Sequence, residues 1–140
     1  MNLDRARDFT FKRLFFGDTI LNWLLGFVLV LLPQKVDDVL GSAMLFPRQF
    51  YTAVGVIFLA FAAWQTIVSL RKMMGIPSLV FAAIMAEAPT VLLTVALTYL
   101  PLALYPVWRI VLWIGNIYMF ILGCWYFHLA HRTVLEDKNT

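Results

Sequence analysis

Four long apolar runs dominate this chain and leave little room for any other kind of fold. They cover about residues 14–32, 50–70, 78–100 and 107–131, and only short connections and two polar ends lie outside them. About 20 apolar residues in a helix span the ~30 Å hydrocarbon core of a bilayer, because each residue adds about 1.5 Å. We therefore predict an all-α integral membrane protein, a four-helix bundle in which each run is one transmembrane helix.

Composition and charge agree with a membrane protein and argue against several soluble classes. Hydrophobic residues make up 62% of the 140 residues, and the mean hydropathy is +0.82, well above the values of soluble domains. The net charge of +3 comes from Lys and Arg near the helix ends, so we attribute it to membrane topology and predict no nucleic-acid partner. The single cysteine, Cys124, excludes an internal disulfide and a CxxC zinc or redox motif.

Lys and Arg are distributed unevenly between the two sides of the membrane. The N-terminal segment carries four, the connection after the second run two and the C-terminal tail two, which makes eight, whereas the other side carries only Lys35, Arg48 and Arg109. Positive residues accumulate on the cytoplasmic side. We predict a multi-pass protein of the inner (plasma) membrane with both termini cytoplasmic, 1–13 as a surface segment that contacts anionic lipid or a partner, and 132–140 as a tail.

The connection between the first two runs contains adjacent acidic residues, Asp37 and Asp38, between apolar neighbours. This pattern predicts a short surface helix. Two carboxylates could bind a cation, but adjacent residues on a helix point about 100° apart. We therefore predict no metal site here.

Every apolar run contains one strongly polar side chain. Counting residues from the ends of the runs places two of these side chains at one depth and two nearer the cytoplasm. Inside a bilayer, interhelical hydrogen bonds and small residues select the packing, because the hydrophobic effect does not draw helices together. We predict an intramembrane polar or ligand-binding cluster, with no catalytic and no metal-binding residue. Its members are Asn22, Gln65, Glu87 and Asn116.

The first run adds a second polar residue to its inward face. Asp18, Asn22 and Gly26 follow one another at four-residue spacing and so share one side of a helix. We expect Asp18 to cap the helix or reach the interface, and Asn22 to make one interhelical hydrogen bond. Small residues should permit close helix approach at four positions. These are Gly26, Gly55, Gly115 and Gly123.

Glu87 has the most demanding position, because an ionised side chain at the bilayer centre costs at least ~2.5 kcal/mol on insertion scales. Two interpretations stay open. In the structural one, Glu87 is protonated or hydrogen-bonded to Asn116 and fixes helix register. In the functional one, it handles a proton or holds the polar head of a lipid-like or quinone-like ligand.

Three further side chains near the membrane surfaces have candidate ligand roles. Arg109 can extend to lipid phosphate. His128 and His131, three residues apart, could ligate haem, chlorophyll magnesium or zinc, although no matching second cluster is present. We predict no cofactor, and leave a bound lipid, quinone or pigment as the alternative. The chain lacks GxSxG, HExxH, P-loop and Gly-rich dinucleotide motifs, which argues against an enzyme.

Two segments carry a resemblance to a known group. The sequence LNWLLGFVLVLLP with VLG, within 21–41, and VGVIFLAFAAWQTI, at 54–67, resemble small bacterial four-helix membrane proteins of unassigned role, some grouped as DoxX-like. The resemblance implies a bundle fold and assigns no site residues. We therefore expect a non-enzymatic accessory or structural subunit of a larger membrane complex, whose partners are lipids and other subunits or copies of itself. The alternative is a protein that binds or isomerises a ligand in a polar cavity around Glu87.

Overall fold

The computed structural model describes the backbone of residues 3–41, 45–71 and 75–137, and side chains from Lys12 to Arg132 within those ranges. The described residues form helices and contain no strand beyond an isolated bridge between Gly41 and Leu104. The predicted all-α class is therefore confirmed. The helices are α1 (Leu3–Leu31), α2 (Pro33–Leu40), α3 (Arg48–Leu70), α4 (Ile76–Tyr99) and α5 (Pro106–Asp137).

Four of these helices are long and apolar enough to cross a membrane. Within the described part of the chain, the candidate spans are Lys12–Leu31, Arg48–Leu70, Ile76–Tyr99 and Pro106–Arg132. Their mean hydropathies lie between 1.7 and 2.0. This agrees with the four predicted crossings and makes the chain a multi-pass membrane protein by helix length and composition.

Two helices extend beyond the runs that the sequence marks. The first apolar run begins near residue 14, but α1 already begins at Leu3 and has 29 residues, or about 43 Å at helical rise. Because the hydrocarbon core is only ~30 Å thick, part of α1 must lie outside it or tilt strongly. At the other end, α5 continues to Asp137, so the first residues of the predicted tail are helical.

The chain divides into two compact units, each built on one pair of helices. The first unit comprises Met1–Val36 and Phe46–Arg71 and pairs α1 with α3. The second comprises Asp37–Leu45 and Lys72–Thr140 and pairs α4 with α5. Both pairs are antiparallel, because residues late in one helix contact residues early in the other.

The short helix α2 confirms the helix predicted between the first two runs. Its end is joined to the segment before α5, where the Tyr105 N–H donates to the Leu40 carbonyl over 3.0 Å. A Cβ on Gly41 would lie 2.6 Å from the Ala103 carbonyl oxygen, so only glycine permits this approach. The carboxylate of Asp37 accepts the Leu45 N–H at 3.1 Å, which gives that side chain a structural role.

Glycines bring the two helices of the first unit into direct contact. A Cβ on Gly55 would lie 2.9 Å from Leu29 Cβ and 3.0 Å from the Gly26 carbonyl oxygen. A Cβ on Gly26 would meet the Leu59 side chain at 2.7 Å. Gly115 departs from the expectation for the four glycines, because no atom lies within 4 Å of its Cβ position and the residue is exposed.

Candidate functional site

The first unit contains a buried hydrogen-bond network of three polar side chains. Asn22 Nδ2 donates to Gln65 Oε1 over 3.1 Å, and Gln65 Nε2 donates to Asp18 Oδ2 over 2.6 Å. Asp18 and Asn22 are each 2% exposed, and Gln65 is fully buried. Both ends of the Gln65 amide are engaged, so this side chain links two positions of α1 to α3.

Helical spacing explains why these three residues meet. Asp18 and Asn22 are four residues apart on α1 and lie one above the other on the face that contacts α3. The glycine contacts one turn further along hold the two backbones close enough for amide side chains to bridge them. Asp18 was expected to cap the helix or reach the interface, but its carboxylate lies in the interior and accepts a hydrogen bond from α3.

A second interhelical bond lies beside this network. Trp23 Nε1 donates to Thr66 Oγ1 over 3.2 Å, and Thr66 Oγ1 donates in turn to the Ala62 carbonyl over 2.8 Å. Trp23 and Thr66 each directly follow a network residue in the sequence, so the two bonds repeat the register set by Asn22 and Gln65. The polar groups of the first unit therefore serve to align α1 with α3.

The polar groups of the second unit form separate pairs instead of a network of three side chains. Asn116 is 5% exposed, and its Nδ2 donates to Thr94 Oγ1 over 2.7 Å. Its Oδ1 is buried and has no hydrogen-bond partner among the described residues. Turning the amide by 180° would exchange the two atoms and leave Nδ2 without an acceptor instead. Thr94 can therefore satisfy only one end of the Asn116 amide.

Glu87 packs into a gap in α5. Its Oε1 lies in the space that a Cβ on Gly123 would occupy, and a Cβ there would also lie 2.8 Å from Glu87 Cδ. The residue is half-buried. Cys124 Sγ donates to Glu87 Oε1 over 3.9 Å, and a thiol is a weak donor. The carboxylate is thus accommodated by a missing side chain while receiving little hydrogen bonding.

A hydrogen bond between Glu87 and Asn116, one of the structural roles predicted for this carboxylate, does not form. Asn116 donates to Thr94, and Glu87 accepts from Cys124. Thr94 is seven residues from Glu87 on α4, or about 10 Å at helical rise. The starts of α4 and α5 lie within two residues of the predicted ones. Counting depth from these ends still cannot resolve such an offset, because the count does not include the shift of one helix along the other.

The remaining candidate residues lie near the ends of α5. Arg109 Nη2 donates to the Leu97 carbonyl over 3.3 Å and so satisfies one of the carbonyls in the last turn of α4, where a cation is favourable. His128 and His131 are both exposed. Among the described side chains, no three of His, Cys, Asp and Glu come together as a metal site would require.

The four residues of the predicted polar cluster do not all come together in the structure. Asn22 and Gln65 bond directly to each other in the first unit, whereas Asn116 and Glu87 have separate partners in the second. Sequence reasoning missed Thr94, because a threonine in an apolar run can bond its own helix backbone and carries no distinctive signal. The sequence predicted a helix contact for Gly123 and no role for Cys124, and it did not predict that both residues contact Glu87. The four-residue spacing of Asp18 and Asn22 was the informative signal.

No family model, no curated protein and no solved structure matches the chain. The resemblance to DoxX-like proteins therefore stays a prediction.

Proposed function

We propose that this protein is a non-enzymatic accessory or structural subunit of a larger complex in the inner (plasma) membrane, folded as a four-helix bundle with both termini in the cytoplasm. The observation that carries the proposal is that the buried polar side chains of the first unit bond to one another. Asp18, Asn22 and Gln65 are buried and bonded to one another across two helices. Polar side chains that are bonded across two helices hold those helices in register. We therefore assign these three residues a structural role and no catalytic one.

The outward surface of the spans supports the same function. Only 22–28% of each membrane-spanning window is buried inside the chain, so most side chains face outward. Large apolar residues lie on this surface of every span, including Phe27, Ile57, Leu92 and Ile114 at 48–71% exposure. Such surface suits either lipid or the helices of a neighbouring subunit, and the short connections leave those neighbours unhindered.

Native mass measurement after extraction in a mild detergent tests this proposal. We expect the chain to be recovered with other membrane subunits, or further copies of itself, at fixed stoichiometry. The same stoichiometry should persist across two detergents and at increasing salt concentration, because the expected contacts lie within the membrane. Recovery of a single chain carrying only lipid under every condition would contradict a subunit role.

Ligand binding around Glu87 is the second candidate function, and a specific observation favours it. Glu87 is a half-buried carboxylate between α4 and α5, and its one donor among the described residues is a weak one, the Cys124 thiol. A lipid-like or quinone-like molecule with a polar head could supply the missing hydrogen bonds. Organic extraction of the purified protein followed by mass spectrometry tests this. One lipid or quinone, retained at one per chain and lost from Glu87→Gln, would support it.

A further inference from the structure

Glu87 lies at the centre of a mostly apolar surface that both helices of the second unit share, with the exposed His128 one turn beyond Cys124. Ile84 and Val91 flank it on α4 at 52% and 59% exposure, at the three- and four-residue spacings that place side chains on one helix face. Cys124 is exposed and lies beside it on α5. We call this surface the Glu87 edge. Its members are Ile84, Glu87, Val91, Phe120, Cys124 and Phe127.

Glu87 receives fewer and weaker hydrogen bonds than the two oxygens of a carboxylate can accept. Within the described residues, the Cys124 thiol is its only hydrogen-bond or ion-pair partner. Asp18, the acidic residue of the first unit's span, instead accepts a short bond from a buried amide. A carboxylate inside a membrane normally pairs with a cation or polar group at the same depth. The Glu87 edge thus lacks a partner of that kind.

The two arginines of the second unit that the structure describes are too far along the helices to supply that partner. Arg109 bonds to the Leu97 carbonyl, and Leu97 is ten residues from Glu87, or about 15 Å along α4. Arg132 is nine residues beyond Gly123, or about 13 Å along α5. Both lengths exceed what a single side chain can bridge while its headgroup stays at the membrane surface.

We propose that the Glu87 edge docks a transmembrane helix of another subunit that carries one Lys or Arg at the depth of Glu87. The apolar residues of the edge would pack against the apolar face of that helix, and the carboxylate would pair with its cation. Charge complementarity selects this occupant, because a wholly apolar helix would leave Glu87 as poorly matched as it is now. This inference rests on the proposed subunit function and specifies the partner's chemistry.

Glycine at position 123 fits this role. Its missing side chain allows the Glu87 carboxylate to lie against α5 next to Cys124. Cys124 is exposed, so the carboxylate lies close to the outer surface of the helix pair. A larger residue there would displace the carboxylate from its place beside the thiol. The gap therefore sets the position of the charge on the edge and, with it, the depth at which a partner's cation must lie.

The experiment uses Cys124 as a reporter, because it is the only cysteine in the chain and lies next to Glu87. The purified full-length protein is reconstituted in lipid vesicles with a Leu-rich transmembrane peptide of about 20 residues. One peptide carries a central Lys and a Cys one turn away, and its matched control carries Leu in place of the Lys. Disulfide formation with Cys124 is driven by copper–phenanthroline in air and measured on gels.

We expect the Lys peptide to cross-link about three- to tenfold more than the Leu peptide, the range that corresponds to measured interhelical polar pairs. Glu87→Gln should remove this preference, and Glu87→Asp should retain part of it. Cys124→Ser should abolish the product. Equal cross-linking of both peptides, absence of cross-linking, or an unchanged preference in Glu87→Gln would overturn the inference.

Native mass measurement of Glu87→Gln separates failure of this inference from failure of the subunit function. Subunits still held by Glu87→Gln at the wild-type stoichiometry would overturn the docking role of Glu87 while leaving the subunit function intact. A lone wild-type chain would contradict the subunit function, whatever the peptides show. Intact folding of each variant is checked by its unfolding midpoint in dodecyl sulfate.

Discussion

The two helical units differ in how their intramembrane polar side chains are hydrogen-bonded. In the first unit, one carboxylate and two amides are buried together and bonded, and two glycines bring the helices into contact. In the second, the amide of Asn116 has one partner and one unmatched atom, and Glu87 lies in the gap at Gly123, where a thiol is its one donor among the described residues. One unit has three buried polar side chains bonded in a single network, although Asp18 Oδ1 makes no hydrogen bond within the described residues, and the other has polar side chains with one partner each.

This difference indicates that the polar residues of the first unit stabilise helix packing, whereas Glu87 in the second unit is available to bind another molecule. A buried network that bonds two helices together stabilises one arrangement of those helices, and removing any member leaves others without partners. A poorly bonded carboxylate contributes little to its own unit, and a binding partner gains by supplying what is missing. The comparison therefore predicts large losses of stability from changes in the first unit and small losses from changes at Glu87.

The largest effect is expected from Gln65→Leu. The substitution removes two hydrogen bonds and leaves the Asp18 carboxylate buried without its amide donor, so the free energy of unfolding should fall by about 3 kcal/mol. Titration with dodecyl sulfate in mixed micelles, followed by tryptophan fluorescence, measures this change. A loss below about 0.5 kcal/mol would show that the network does not hold the first unit together.

A smaller loss is expected from Gly55→Ala, and it should exceed that from Gly123→Ala. The new methyl group at position 55 would collide with Leu29 Cβ and the Gly26 carbonyl, which cannot move without shifting a helix, so we expect about 2 kcal/mol. At position 123 it would meet the end of the flexible Glu87 side chain, and we expect less than about 1 kcal/mol. The same titration compares them, and the reverse order would contradict this account.

Thr94→Val should cost about 1 kcal/mol, because it removes the hydroxyl that accepts from the Asn116 amide but leaves the shape of the side chain unchanged. Asn116→Leu is the matched second variant. If the pair interacts as the structure indicates, the double variant should cost less than the sum of the two single changes. Strict additivity in this double-mutant cycle would show that the bond contributes nothing to the second unit.

The smallest effect is expected from Gly115→Ala. No atom lies within 4 Å of its Cβ position and the residue is exposed, so the free energy of unfolding should change by less than about 0.5 kcal/mol. The variant serves as the control for Gly55→Ala, because both place the same methyl group on a membrane-spanning helix. A loss comparable to that of Gly55→Ala would mean that this surface of α5 is covered within the isolated chain.

The sequence predicts the membrane helices well because hydrophobic length is a local property. The four crossings and the short helix after the first of them follow directly from where apolar residues begin and end. The helix bounds were less accurate. Residues 3–13 continue α1 and residues 132–137 continue α5 beyond the predicted runs, since adding residues to an existing helix is easier than nucleating a new one.

The pairing of polar side chains could be predicted only in part. Four-residue spacing places Asp18 and Asn22 on one face, but it does not identify their partner on another helix. The register between α4 and α5 decides that Thr94 faces Asn116 and that Gly123 faces Glu87. Register depends on packing along the whole helix pair, and a shift of one turn would exchange these partners.

The central claim is that Gln65 maintains the fold whereas Glu87 is kept for contact with another molecule. The most direct test measures the free energy of unfolding of Gln65→Leu and Glu87→Gln side by side in mixed micelles. We predict a loss of about 3 kcal/mol for Gln65→Leu, and for Glu87→Gln a stability equal to or above that of the wild type, because an amide avoids the cost of a buried charge. A loss from Glu87→Gln as large as that from Gln65→Leu would contradict the account.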